Sequence, residues 1–414
     1  SFQYNYAGEE REYIAFDSTV SRDGHAGETY DFCISNPPFG TPWKEDLKKR
    51  GLKETEKAKF TDSRFNIAIG NGENRKEITF LPDIGDCQML FLANNLSRMV
   101  DDTEMGTRIV EVHNGSSLFT GNAGSGASNL RQYIIENDML EAIIAMPEND
   151  FYNTGIGTYI WIVTNRKEER RKGYVQLIDA TDIKSPLRKN LGKKNCETNE
   201  ADRNEIVKML LGFKETKKSK IFPNKEFGYY SVTVERPLRL VYENLDGIAL
   251  PDLKNKGDVE LLQRVVEAWK ENLGGHTVGD FALFLMLEQM RVKVPASKVK
   301  LVRQYLGKHN DKADVCFTKP TKRDSAVVTD PSLRDTEQVP LLYPGGIDAF
   351  MEKEVLPYAP DAFYDAANVV VGYELSFTKY FYKPVELRTI ADITTDINGI
   401  EGRLKGVLKD ILNV

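Results

Sequence analysis

The chain has 414 residues, 41% hydrophobic and 29% charged, the composition of a folded protein of two or three domains. No apolar run is long enough to span a membrane and none reads as a secretory signal peptide, so a membrane or secreted class is not expected. The net charge of −6 argues against a surface basic all over, but leaves room for a local patch that neutralises phosphates.

In chain order, apolar runs that end at turn residues predict strands over 30–35, 107–112, 140–146, 158–164 and 174–179. Helical periodicity separates several of them, notably over 86–100 and 127–137. Strands alternating with helices predict an α/β domain with a parallel or mostly parallel sheet. Residues 166–194 carry ten lysines or arginines and four acids, which reads either as a DNA-backbone surface or as a solvated loop. KETKKSK at 214–220 reads as a surface connector. Beyond about 236 helical patterns dominate, at 257–272, 278–291 and 296–307. FALFLMLEQM (281–290) reads as core packing, and 308–345, rich in Asp, Lys, Pro and Thr, as a long loop. The last 27 residues are expected to be helical. Within them Ile390, Ile393, Ile397, Ile400, Leu404, Val407 and Ile411 recur at alternating spacings of three and four, a heptad seam. Gly399, Gly402 and Gly406 weaken that helix by up to about 1 kcal/mol each, so it needs a surface to pack on.

Cys33, Cys87, Cys196 and Cys316 lie far apart and form no CxxC pair. With only four histidines, no metal centre is expected, and scattered thiols fit a reducing cytoplasm. His113 reads as a satisfied turn histidine rather than a catalytic one.

The chemistry is concentrated in Asp31-Phe32-Cys33-Ile34-Ser35-Asn36-Pro37-Pro38-Phe39. An apolar strand runs directly into two prolines, which fix φ and carry no backbone N–H. Carbonyls around them can face a pocket at the strand's carboxyl end, where open α/β sheets bind ligands. The Asn36 side-chain oxygen and the Pro37 carbonyl can each accept one hydrogen of an exocyclic amine. Holding both localises the nitrogen lone pair and aims it at an electrophilic methyl group, a task of positioning and polarisation. Phe39 offers a flat face for a base flipped out of a duplex. Read without that context, Asn-Pro-Pro-Phe would be a strand-ending turn.

These residues resemble the amino-methyltransferase signature D-[FY]-x-x-x-N-P-P-[FY]. Over nearly its whole length the chain then resembles the modification subunits of type I restriction-modification systems. The resemblance is carried by Asp86-Cys87-Gln88-Met89-Leu90-Phe91-Leu92, by Asn114-Gly115-Ser116, by Leu118-Phe119-Thr120-Gly121 and by Ala123-Gly124-Ser125-Gly126. It continues through 140–162, 175–180, 227–240, 334–341, 354–363 and 372–383. Cys87 stands where that family usually has glycine.

What the resemblance implies is a Rossmann-like S-adenosylmethionine methyltransferase fold, N-terminally truncated, over residues 1–240. A mostly helical C-terminal domain follows over 241–414, its terminal heptad helix serving subunit assembly. The implied reaction transfers methyl from S-adenosylmethionine to adenine N6 in DNA, with Asn36, Pro37, Pro38 and Phe39 as the catalytic residues. The implied partners are duplex DNA with a flipped adenine, a specificity subunit that chooses the target, and a restriction subunit in the full complex. The cofactor's glycine-rich loop is expected upstream of Ser1, so this chain alone is expected to be inactive. Gly124-Ser125-Gly126 and Gly155-Ile156-Gly157 do not read as that loop. Asp17, in Phe16-Asp17-Ser18-Thr19-Val20, is either a surviving contact to the cofactor or a surface turn. Two other readings stay open: an inactive assembly scaffold, and a protein-glutamine methyltransferase, which generally carries Tyr in place of Phe39.

Overall fold

The computed structural model describes residues 2–6, 9–13, 25, 27–70, 72, 75–152, 154–248, 250, 253–274, 276–382 and 389–412. Every strand expected from the apolar runs is present: β1 (Phe32–Ser35), β2 (Arg108–Asn114), β3 (Leu140–Ala145), β4 (Thr158–Thr164) and β5 (Tyr174–Asp179). A separate hairpin, β6 (Ser185–Leu191) and β7 (Lys194–Glu197), comes next. The sheet is completed by β8 (Ser219–Pro223) and runs in the order β8-β5-β3-β4-β2-β1.

The sheet is mixed, which corrects the expectation of a mostly parallel one. β1 pairs with β2 and β3 with β5 in parallel, whereas β2–β4, β3–β4 and β5–β8 are antiparallel. The cause is residues 146–157, which return β3 directly into β4 with no crossover helix, so that β4 wedges between β2 and β3. Because β1, β2, β3 and β5 still run the same way, their carboxyl ends collect at one end of the sheet.

Central β3 is buried along its whole length, as a strand covered on both faces should be. Its one carboxylate, Glu141, meets Arg108 Nη2 at 3.0 Å and Arg171 Nε at 3.3 Å. On one face, α1 (Gln88–Leu96) and α2 (Gly126–Glu136) pack over Ile109, Leu140, Ile143, Trp161 and Leu177. The other face is closed by α3 (Glu200–Gly212), which sets Ile206 against Ile144, Ile162 and Ile178. Edge strand β1 buries Cys33 but leaves Phe32 and Ile34 61% and 83% exposed.

Past the sheet comes β9 (Gly228–Glu235). The helices expected beyond 236 are α4 (Lys256–Leu273), α5 (Asp280–Gln289) and α6 (Val299–Leu306). They share a core built on Leu262, Val265, Trp269, Leu283 and Val302, so FALFLMLEQM does serve packing. Residues 308–345 are not entirely loop: they end in β10 (Asp335–Pro340). β10, β11 (Phe363–Tyr364) and β12 (Val370–Tyr373) all pair with β9, and Tyr373, Leu375 and Phe377 join the core of the sheet. Arg131 of α2 fastens this return. Its buried guanidinium donates to the carbonyls of Tyr373, Ser117 and Thr120 at 2.6, 2.9 and 2.9 Å, and burial pulls its pKa down to about 10. The chain closes on α7 (Ile390–Leu412), with Ile390, Ile393, Ile397, Ile400 and Leu404 between 44% and 84% exposed.

All four cysteines are free and buried. Among the described residues, no helix is long and apolar enough to cross a membrane, and no group of His, Cys, Asp and Glu is arranged to hold a metal ion.

Candidate active site

Asn36, Pro37, Pro38 and Phe39 follow β1 at the end of the sheet where the four co-directional strands terminate. Pro37 is buried, Phe39 half-buried, and Asn36 and Pro38 exposed. Buried Pro37 anchors the turn while the Asn36 amide is left on the surface, where a ligand can compete for it. Gly40 then takes φ +61°, a left-handed conformation that suits glycine. Beyond it the chain is pinned: Trp43 Nε1 donates to the Asp83 carbonyl at 2.9 Å, and the Cys87 N–H to the Thr41 carbonyl at 3.0 Å.

The four motif residues line a cavity of about 380 Å³ together with Phe151, Tyr152 and Thr154. These last three lie on the β3–β4 connection. That connection turns tightly: Asn149 takes a left-handed φ of +60°, which asparagine tolerates, and a Cβ on Gly155 would stand 3.1 Å from its Oδ1. Sequence reading missed this wall of the site. The signal was available as an aromatic pair, Phe151-Tyr152, between two strands, but nothing in one dimension sets it opposite Phe39.

A buried polar network supports the turn from below. Ser35, the residue before Asn36, donates its hydroxyl to Glu111 Oε2 at 2.8 Å, and Asn95 Nδ2 reaches the same oxygen at 2.6 Å. Glu111 Oε1 lies 3.3 Å from His113 Nε2, with both side chains fully buried. On the other side of the ring, His113 Nδ1 faces Gln88 Oε1 at 3.1 Å. Gln88 Nε2 meets Asp86 Oδ2 at 2.6 Å, Asn114 Oδ1 at 2.8 Å and Ser116 Oγ at 2.9 Å. The blocks Asp86-Cys87-Gln88 and Asn114-Gly115-Ser116 are therefore one structural unit that joins the start of α1 to the end of β2. His113 is not in a turn, as its neighbours suggested. It lies within β2, packed edge-on against Trp161 with ring centroids 5.6 Å apart, a structural histidine.

Of the two glycine pairs, the first includes a position set by packing. Gly124 holds φ +74°, and a Cβ there would fall 2.7 Å from Val370 Cγ1. Gly121-Asn122-Ala123-Gly124-Ser125-Gly126 thus lets β12 approach α2. Asp17 lies outside the described residues. Among the described residues lining the cavity are three aromatic or proline-rich surfaces, Pro37-Pro38, Phe39 and Phe151-Tyr152, which suit the flat face of a base.

The run of ten cations is divided by β5 into two groups at opposite ends of the sheet. Arg166, Lys167, Arg170, Arg171 and Lys172 lie at the end away from Asn36, and four of them are committed to carboxylates: Lys167 to Asp138, Arg170 to Glu168, Arg171 to Glu141 and Lys172 to Glu169. Arg166 donates to the Asn165 and Asp101 carbonyls. Lys184, Arg188, Lys189, Lys193 and Lys194 follow the carboxyl end of β5, on the side of the site.

Residues 5–235 match the family model of N-6 DNA methylases. Among curated proteins, the chain is similar to the type I restriction enzyme MjaIX methylase subunit of Methanocaldococcus jannaschii, 25% identical over 171 residues, 41% of this chain and 26% of that protein. It is also similar to the MjaVIII methylase subunit of the same organism, 33% identical over 96 residues, 23% of this chain and 15% of that protein. The matches thus span about a quarter or less of these relatives' lengths. Among solved structures, the type I restriction-modification methyltransferase subunit of Streptococcus thermophilus aligns with a TM-score of 0.37 at 18% identity, over 51% of this chain and 38% of that one.

Proposed function

The chain belongs to the N-6 DNA methylase family, and from that premise we propose that it is the acceptor-binding part of an adenine-N6 DNA methyltransferase, the modification subunit of a type I restriction-modification system. Family membership makes its sheet part of a Rossmann-like α/β methyltransferase fold and implies a methyl donor. The observation that carries the reading is the cavity in which Asn36, Pro37, Pro38 and Phe39 face Phe151 and Tyr152. Phe39 and Phe151 supply aromatic faces for a flipped adenine, and base–aromatic stacking is worth about 1–3 kcal/mol per base. The Asn36 side-chain oxygen and the Pro37 carbonyl accept the two hydrogens of the exocyclic amine and hold its lone pair outward. S-adenosylmethionine, the donor proposed for the whole protein, would supply an electrophilic methyl group.

We take residues 1–240 as the catalytic portion and 241–414 as the helical portion. The separate core of α4, α5 and α6 supports that division; the return of β10, β11 and β12 to β9 joins the two. In this reading a specificity subunit docks on α7 and chooses the DNA site, a restriction subunit joins the full complex, and the assembly works in the cytoplasm. The family model favours DNA over a protein glutamine as acceptor, as does Phe39 where glutamine methyltransferases generally carry Tyr.

The test is Asn36→Ala in the complex with the specificity subunit, with tritiated methyl transfer to duplex DNA as readout. The expected loss exceeds tenfold, about 1.4 kcal/mol of barrier, with DNA binding retained. A rate within tenfold of wild type would refute the assigned role.

A further inference from the structure

We propose that the β6–β7 hairpin is a clamp for the phosphate backbone of duplex DNA, and that Asp150 couples this clamp to the aromatic wall of the base cavity. The proposal rests on the DNA reading above and adds to it a surface and a positioning residue.

Placement is the first argument. β5 runs with β3, so the hairpin emerges at the same end of the sheet as Asn36 and Phe151. Charge is the second. Residues 184–194 hold five cations and no carboxylate. Lys184, Arg188, Lys189 and Lys193 are exposed, and among the described residues none of them takes part in an ion pair, unlike the paired cations at the far end of the sheet. Of the nearest carboxylates in sequence, Asp182 is engaged by Lys218 at 2.7 Å, and Glu197 sits opposite Ser185 at the base of the hairpin, away from Arg188, Lys189 and Lys193 near its turn. A two-stranded ribbon bearing uncommitted cations beside a base-sized cavity is complementary to the backbone that flanks a flipped nucleotide.

The third argument is how the hairpin is attached. Lys194, the one cation of the five that is mostly buried, turns inward. It reaches the Asp150 carboxylate at 3.1 Å and the Asp150 carbonyl, and its ammonium stands 5.6 Å from the centre of the Tyr152 ring. Asp150 also accepts from the Thr198 hydroxyl at 2.7 Å and the Thr198 N–H at 3.2 Å. Alongside, the Asn195 N–H donates to the Asn149 carbonyl at 3.2 Å, and the Cys196 thiol to the Glu148 carbonyl at 3.3 Å. Three consecutive residues, Glu148 to Asp150, are therefore laced to β7 directly before Phe151. A phosphate held by the hairpin is in this way connected to the position of Phe151 and Tyr152 through a rigid ladder, with Asp150 as the shared node.

The experiment uses the complex with the specificity subunit and fluorescence anisotropy on a duplex carrying its site, across a range of KCl concentrations. In wild type the logarithm of affinity falls linearly with the logarithm of salt, with a slope of about −0.9 per phosphate contact. R188A/K189A/K193A, all exposed positions, should shallow that slope by about two to three and weaken binding at least tenfold at about 0.1 M salt. D150N keeps the three exposed cations, so its salt slope should match wild type while kcat for methyl transfer falls, because the wall bearing Phe151 is loosened. An unchanged slope and affinity in the triple variant would overturn the clamp. Unchanged kcat in D150N would overturn the coupling. Failure of the wild-type complex itself to bind duplex DNA would overturn the DNA reading on which both stand.

Discussion

Replacing Glu111 with alanine should cost both stability and catalysis, and the size of the first can be worked out. Glu111 is fully buried, takes hydrogen bonds from Ser35 and Asn95 at 2.8 and 2.6 Å, and lies 3.3 Å from fully buried His113. Removing one partner of a buried pair leaves its neighbours desolvated and unmatched, a loss of about 3–5 kcal/mol. At about 2–4 °C per kcal/mol for a unit of this size, the thermal midpoint should fall by about 6–20 °C. Ser35 would lose its anchor one residue from Asn36, and a displacement of about 1 Å at a positioned reactant is enough to cost about a hundredfold in rate. Scanning calorimetry of the chain and methyl-transfer assays of the complex read the two effects. Glu111→Gln keeps the volume and one acceptor for Ser35 and Asn95, so it should recover more than half of the lost stability. A midpoint for Glu111→Ala within about 3 °C of wild type would show that the network supports nothing.

The buried thiols should be inert to a disulfide reagent at pH 8 in the folded chain, and react at once in denaturant. Burial pushes Cys87 up to about 11 and Cys316 up to about 12, from an ordinary 9.0. Their contribution to stability is therefore complete below pH 9 and lost as pH rises toward 11 and 12, because the unfolded thiols ionise first; a stability curve that stays flat through this window would contradict their burial. Ile397→Asp with Leu404→Asp should leave the thermal midpoint within about 2 °C, since both side chains are about half exposed. The same pair should abolish co-purification with the specificity subunit; unfolding of the whole chain would make the seam part of the chain's own core instead.

Local signals carried most of the architecture. Five apolar runs became strands because each is long, apolar and closed by turn residues, and the helices of the second half followed their period. What one dimension could not show was direction and pairing. The 146–157 connection contains no marker that it turns back rather than crosses over, so the antiparallel wedge of β4 was missed. β10 was lost in an apparent loop because DTEQVP is almost wholly polar, and it becomes a strand through its register against β9. At the site, Asn36 to Phe39 were legible because two prolines after an apolar strand are chemically unusual. Phe151 and Tyr152 were not, because only the fold brings them to Phe39. His113 looked like a turn residue beside Asn114-Gly115, whereas β2 continues through Asn114.

The division of the basic run shows why net charge is a poor guide to what this chain binds. At −6 the whole molecule repels a polyanion, and ten cations in twenty-nine residues seem to offer a remedy that four nearby acids half cancel. Position changes that sum. Salt screens exposed charges beyond about 8–10 Å, so a phosphate beside Asn36 responds to its own end of the sheet, not to the total. At the far end, Lys167, Arg170, Arg171 and Lys172 are already matched by Asp138, Glu168, Glu141 and Glu169, and Arg171 is buried. Arg171 joins β3, β5 and α3 through Glu141, Gln176 and the Leu210 carbonyl, and the paired cations have less field left to offer. At the near end, no acid interrupts residues 184–194. β5 splits one run of cations into a group already paired with carboxylates and a group mostly without ion pairs among the described residues, so the proposed DNA surface draws on the second group alone.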